Sequence, residues 1–148
     1  MIIGEEIEMM KYMKYIVLSL VLAAMSTKAE AKIIVAEHMY MFGFSASFTD
    51  STLYMTDIQD VPGASYDTKT KFLLGRDVYS TQLKEFLTEK KDQPNRVCIV
   101  MFATTRKEAE KKYAKFKKKY AGKDGVIYGM HYLTADEFKF EAVETSDE

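Results

Sequence analysis

Residues 97–134 read VCIVMFATTRKEAEKKYAKFKKKYAGKDGVIYGMHYLT, and the architecture of the whole chain hangs on them. Val97–Ala103 is a continuous apolar run bounded by polar residues, the pattern of a strand buried on both faces. Thr105 followed by Glu108 has the spacing of a capping box, which predicts a helix start there. Gly122 is placed to end that helix, and Val126–Leu133 reads as a further strand. Strand, helix and strand together predict a βαβ unit with its two strands parallel and a right-handed crossover.

Within the helix the side chains sort by angle. Ala109, Tyr113, Phe116 and Tyr120 fall within about 60° of one another at 100° per residue, an aromatic seam for docking on a sheet. Lys107, Lys111, Lys115 and Lys118 gather on the opposite side. Lys112, Lys119 and Lys123 flank the seam, where their methylene stems can cover its edges. From Arg106 to Lys123 there are nine Lys or Arg against Glu108 and Glu110. Such a ridge is either a solvated outer face or a contact for an anionic surface, and solvation is the commoner reason for a charge run.

Upstream, even positions His38, Tyr40, Phe42, Phe44, Ala46 and Phe48 alternate as in a strand with one buried face. Gly43 there marks a bulge or a close backbone approach. A turn at residues 49–52 and a second strand through LYMTDIQDV make this a hairpin. FLLGRD fits either a short strand or the lead-in to a helix whose apolar stripe is Tyr79, Leu83, Phe86 and Leu87. TADEF, from Thr134, offers a second capping-box turn, and FKFEAV an edge strand. The fold expected is α+β: a mixed β-sheet with an N-terminal hairpin, the βαβ unit, and two helices packed on one face.

The N-terminus carries a different signal. MKYMK (Met10–Lys14) is basic, YIVLSLVLAAM (Tyr15–Met25) is apolar, and Ala29-Glu30-Ala31 supplies small residues at A-x-A spacing. This is the pattern of a secretory signal peptide, with cleavage between Ala31 and Lys32. The eleven-residue apolar run falls short of the roughly 20 that a spanning helix needs, so no transmembrane anchor is expected in the mature chain. Glu5, Glu6 and Glu8 oppose a positive n-region, so residues 1–9 read as an over-extended start and Met10 as the translation start. Residues 32–148 form a single expected domain with an acidic C-terminal end, exported to the periplasm or beyond. That segment holds 18 basic and 18 acidic residues, a net charge of zero. Export and balanced charge argue against nucleic acid as a partner.

YMFGFSASFTDSTLYMTDIQ, TKFLLGRDVYSTQLKEFL and CIVMFATTRKEAEKKYAKFKKKY together resemble small exported proteins of Bacteroidetes bacteria. The resemblance covers most of residues 32–148. It implies export into a Gram-negative envelope and no particular activity. Asp50-Ser51-Thr52 is similar to the short motif O-glycosylated in such proteins, which would make Ser51 or Thr52 an acceptor; Asp, Ser and Thr are equally ordinary turn formers.

Signatures of catalysis are missing: there is no G-x-S-x-G, phosphate loop or dinucleotide fingerprint, and no cofactor is implied. His38 and His131, the only histidines, have no second ligand at zinc spacing. Cys98, the only cysteine, excludes an intramolecular disulfide and reads as a small core hydrophobe. Cys98 and His131 stand on candidate neighbouring strands. Asp57, Asp60, Asp67 and Asp77 are unpaired in sequence, and Asp77 has the place of a helix cap. The function expected is a non-enzymatic envelope binding module, its site Lys107, Lys111, Lys115 and Lys118. The alternative is a small periplasmic enzyme with a cleft grouping Asp77 and His131. A homo-oligomer built on the aromatic hairpin is a third option.

Overall fold

A computed structural model describes residues 3–25, 32–120 and 128–144. The chain divides into two compact units, Met1–Ala31 and Lys32–Glu148. The first is the helix α1 (Ile3–Met25), with Glu5 and Glu6 in its first turn, where the helix dipole favours acids. Its side chains from Glu5 to Val21 are exposed. Among the described residues no helix is long and apolar enough to cross a membrane.

The second unit runs β1 (Ile33–Val35), β2 (Tyr40–Ala46), β3 (Thr52–Thr56), β4 (Gln59–Asp60), β5 (Ser65–Asp67), α2 (Arg76–Lys90), β6 (Val97–Ala103), α3 (Arg106–Lys119) and β7 (Gly129–Leu133). β1 and β5 form a small antiparallel sheet. The main sheet is mixed. β2 pairs antiparallel along its whole length with β6, and its other edge takes β3 and β4. β7 lies parallel to β3. This is the α+β class that the sequence indicates.

β3 and β4 are one strand interrupted by a bulge. Phe44 faces Met55 while Met41 faces Gln59, so the pairing slips by one residue around Asp57 and Ile58. The backbone N–H of Gly43 opposite donates instead to Thr56 Oγ1 at 2.8 Å. A Cβ on Gly43 would stand 2.6 Å from Leu83 Cδ2, so glycine here serves close packing of α2 on β2, and the bulge lies on the partner strand.

β2 is buried on both faces. Met41, Gly43 and Ser45 face α2, whose buried residues are Tyr79, Leu83 and Leu87, with Val100 and Leu133 in the same cluster. Phe42 and Phe44 face α3, where they meet Tyr113, Phe116 and Tyr120 at ring distances of 4.7–5.8 Å. The aromatic seam read from the sequence is therefore the docking face of α3. The two helices, expected on one face, lie on opposite faces. The reason is in β2 itself: both of its faces carry apolar residues, and each needs its own cover.

Three further expectations are corrected. β6 and β7 run parallel and share a sheet, but β2 and β3 stand between them, so they are not the adjacent strands of a simple βαβ unit. β6 is an edge strand with Val97 and Ile99 partly exposed; its apolar run reflects two partly covered faces rather than a central position. FKFEAV forms no strand. It is an extended strap whose Phe138 and Phe140 enter the α2-side core and whose backbone is gripped by side chains. Gln59 Nε2 donates to Phe138 O and Gln59 Oε1 accepts from Phe140 N, both at 2.8 Å. Gln82 makes the same double contact with Glu141 at 3.0 Å, and Tyr79 Oη accepts from Val143 N at 3.0 Å.

Local signals fared well where a cap was concerned. Thr105 Oγ1 accepts from Glu108 N at the start of α3, and the Glu137 carboxylate accepts from Thr134 N in the turn after β7. FLLGRD is a lead-in: Leu73 bridges to Tyr66 before α2 begins. Asp77 is not the cap of α2. Gly75 holds that position at φ 70° without a side-chain cap, a conformation glycine adopts at little cost, and Asp77 lies in the first turn. Gly122, Lys123, Val126 and Ala31 lie outside the described residues.

Candidate functional site

The docking of α3 fixes what its other face presents. Lys107, Lys111, Lys115 and Lys118 are all exposed. They span twelve residues, about 16 Å of helix, within an arc of about 80°. Among the described residues none of the four is in an ion pair; the helix's one pair there is Arg106 with Glu110 at 3.4 Å. The other lysines of α3 are engaged. Lys112 Nζ donates to Phe102 O at 2.6 Å and lies over the Phe102 ring. Lys117 lies over both Tyr113 and Tyr132, and Lys119 over Tyr120. Lys112 and Lys119 thus cover the edges of the seam, as their positions on the helix suggest. The division is physical: flanking lysines reach π faces and a free carbonyl, while the outer four reach only solvent.

The residues of the enzyme alternative do not converge. Cys98 and His131 sit on opposite edge strands, three strand spacings or about 14 Å apart, rather than on neighbours. Asp77 lies on α2, whose Arg76 binds β6 at Val100 O, on the sheet edge away from His131. Between Cys98 and His131 runs a row paired across the sheet: Ser45 beside Cys98, Tyr54 beside Ser45, and His131 stacked on Tyr54 at 5.3 Å. Burial pushes the Cys98 thiol above its ordinary pKa, partly offset by its hydrogen bond to Ser45 and by Arg96. It is therefore a poor nucleophile.

That row encloses a feature with no local signal in the sequence. The Arg96 side chain is 1% exposed. Its Nε donates to Ser45 Oγ at 3.1 Å, Nη1 to Gln93 Oε1 at 3.3 Å and Asp50 Oδ1 at 3.5 Å, and Nη2 to Thr52 O. Its guanidinium lies 4.9 Å from the centre of the Tyr54 ring. The cation ties the β2–β3 turn to the segment entering β6. In that turn Ser51 is exposed, whereas Thr52 is half-buried as the first residue of β3.

His38 acquires a partner that spacing did not reveal: its Nδ1 donates to Asp60 Oδ2 at 2.7 Å on the surface. No Ser, Thr or Cys side chain is hydrogen-bonded to it among the described residues. Also among those residues, no group of three or more His, Cys, Asp or Glu is arranged to hold a metal ion.

No protein-family model, no curated protein and no solved structure matches the chain.

Proposed function

We propose that this is an exported binding module of the bacterial envelope that meets anionic surfaces, lipid headgroups or acidic glycans, through Lys107, Lys111, Lys115 and Lys118. The observation that carries the reading is the division of labour on α3: seam aromatics dock the helix, flanking lysines are engaged, and the outer four are left as a straight, unpaired ridge. Binding is by charge alone, because the apolar face of α3 is already spent on the sheet. Each lysine contributes about 1 kcal/mol near an anionic surface, and salt screens the attraction. Replacing all four with Glu abolishes retention on anionic envelope material while the far-ultraviolet circular dichroism stays unchanged. Undiminished retention of that variant rejects the proposal.

Export rests on the n-region, the apolar run and the A-x-A site. A compact unit boundary after Ala31 is in keeping with removal of the segment before it. The intact mass of the protein from native cells is expected to correspond to a chain beginning at Lys32, with any glycan mass localised to the exposed Ser51. A cytoplasmic species retaining residues 10–31 contradicts export.

A further inference from the structure

The fold treats its sheet edges unequally. On the free edge of β6, Val100 O accepts from Arg76 Nε at 3.0 Å and Phe102 O from Lys112 Nζ, so basic side chains occupy two of the outward carbonyls. This is a common guard against strand addition. Among the described residues β1 has no such guard: Ile33, Ile34 and Val35 are all exposed, and the strand pairs there on one side only, with β5.

The register says which groups are open. Thr68 N donates to Lys32 O and Ala36 N to Ala64 O, so residues 32, 34 and 36 turn their backbone groups toward β5. By alternation, the N–H and C=O of Ile33 and Val35 point outward. The side chains add an apolar surface. Ile33 faces Asp67, and Asp67 N bonds Phe72 O on the far side, which puts Ile33, Val35 and Phe72 on one face. They are 59%, 68% and 64% exposed.

We propose that β1 is a self-association edge, pairing antiparallel with β1 of a second copy about a two-fold axis at Ile34. In that register Ile33 of each copy faces Val35 of the other, and the four outward backbone groups of each strand are all used, in four hydrogen bonds across the pair. The contact is isologous and closed. Lys32 of one copy falls opposite Ala36 of the other, beside its Glu37. Both side chains are exposed, and neither is in an ion pair among the described residues, so the ends of the pairing are complementary in charge. A second copy fits better than an unrelated peptide because the strand completes its own hydrogen bonding and charge pattern.

The test uses the full chain. Sedimentation equilibrium is expected to show a monomer–dimer equilibrium. Val35→Pro weakens it roughly tenfold or more, because it removes an outward N–H from each copy while leaving every bond to β5 intact. Ile33→Lys weakens it as well. Ile34→Cys, which meets itself at the axis, cross-links under a mild oxidant far faster than Ile33→Cys or the parent chain, whose only thiol is the half-buried Cys98. A chain that stays monomeric at every concentration overturns the proposal. So does association that both Val35→Pro and Ile33→Lys leave unchanged, as association through α1 would be.

Discussion

Arg96→Met lowers the stability of the domain by about 3–5 kcal/mol, because several buried acceptors lose their donor at about 1–3 kcal/mol each. The side chain is almost wholly enclosed, and its nearest carboxylate, Asp50, is half exposed and 3.5 Å away. Neutral acceptors do most of the compensating: Ser45 Oγ, Gln93 Oε1 and the Thr52 carbonyl, with the Tyr54 ring beneath. Removing the guanidinium takes away the donor that those groups share, and it frees the hairpin turn from the start of β6. Asp50→Asn, by contrast, costs about 1 kcal/mol, as expected for a partly solvated pair. Urea unfolding of the two variants separates these costs. Equal losses would mean that the ion pair, rather than the hydrogen-bond network, holds Arg96.

The second large effect belongs to the C-terminal strap. Gln59→Leu is expected to cost about 2–4 kcal/mol, because two backbone groups, Phe138 O and Phe140 N, then lose their partners inside the core. Gln59 is 6% exposed, so water cannot take its place. Gln82 makes the same pair of bonds to Glu141 at the surface, and Gln82→Leu costs under about 1 kcal/mol for that reason. Identical chemistry at two depths thus gives a paired measurement by chemical denaturation. In Gln59→Leu, the amides of residues 138–143 should also exchange hydrogen faster than those of β2.

These two positions show where the sequence is silent. Gln59 and Phe140 are far apart in the chain, and nothing local marks a glutamine as the substitute for a β-ladder. The alternation Phe138, Lys139, Phe140, Glu141 is what an edge strand would carry, so the strap and the strand read alike. Arg96 looks like an ordinary polar residue before an apolar run; its burial follows from the Asp50–Thr52 turn folding over it. The α3 signals were legible because they are local. Thr105 and Glu108 set the start, and the spacing of Tyr113, Phe116 and Tyr120 sets the buried face. That face in turn assigns Lys107, Lys111, Lys115 and Lys118 to solvent.

Which side of the sheet each helix takes was not legible, although the reason is simple once β2 is seen between them. The alternation in β2 suggested one buried face, yet Met41 and Gly43 are as necessary to α2 as Phe42 and Phe44 are to α3. The aromatic hairpin is consequently the centre of the sheet, flanked by β6 and β7, and of its aromatic residues Phe48 in the turn is the one that stands fully exposed. The helices cover both faces of the hairpin's centre, so its exposed apolar part is the turn at Phe48 with Val97 and Ile99 of β6, and the open β1 edge is a separate association surface.

Binding to lipid vesicles tests the ridge. The protein is expected to co-sediment with vesicles containing anionic phospholipid at low salt and to be released as ionic strength rises. It should ignore zwitterionic vesicles. The variant with Lys107, Lys111, Lys115 and Lys118 changed to Glu should lose affinity by about a thousandfold, the sum of four contributions of about 1 kcal/mol. Binding that is equal on zwitterionic and anionic vesicles, or that survives in the variant, would contradict it.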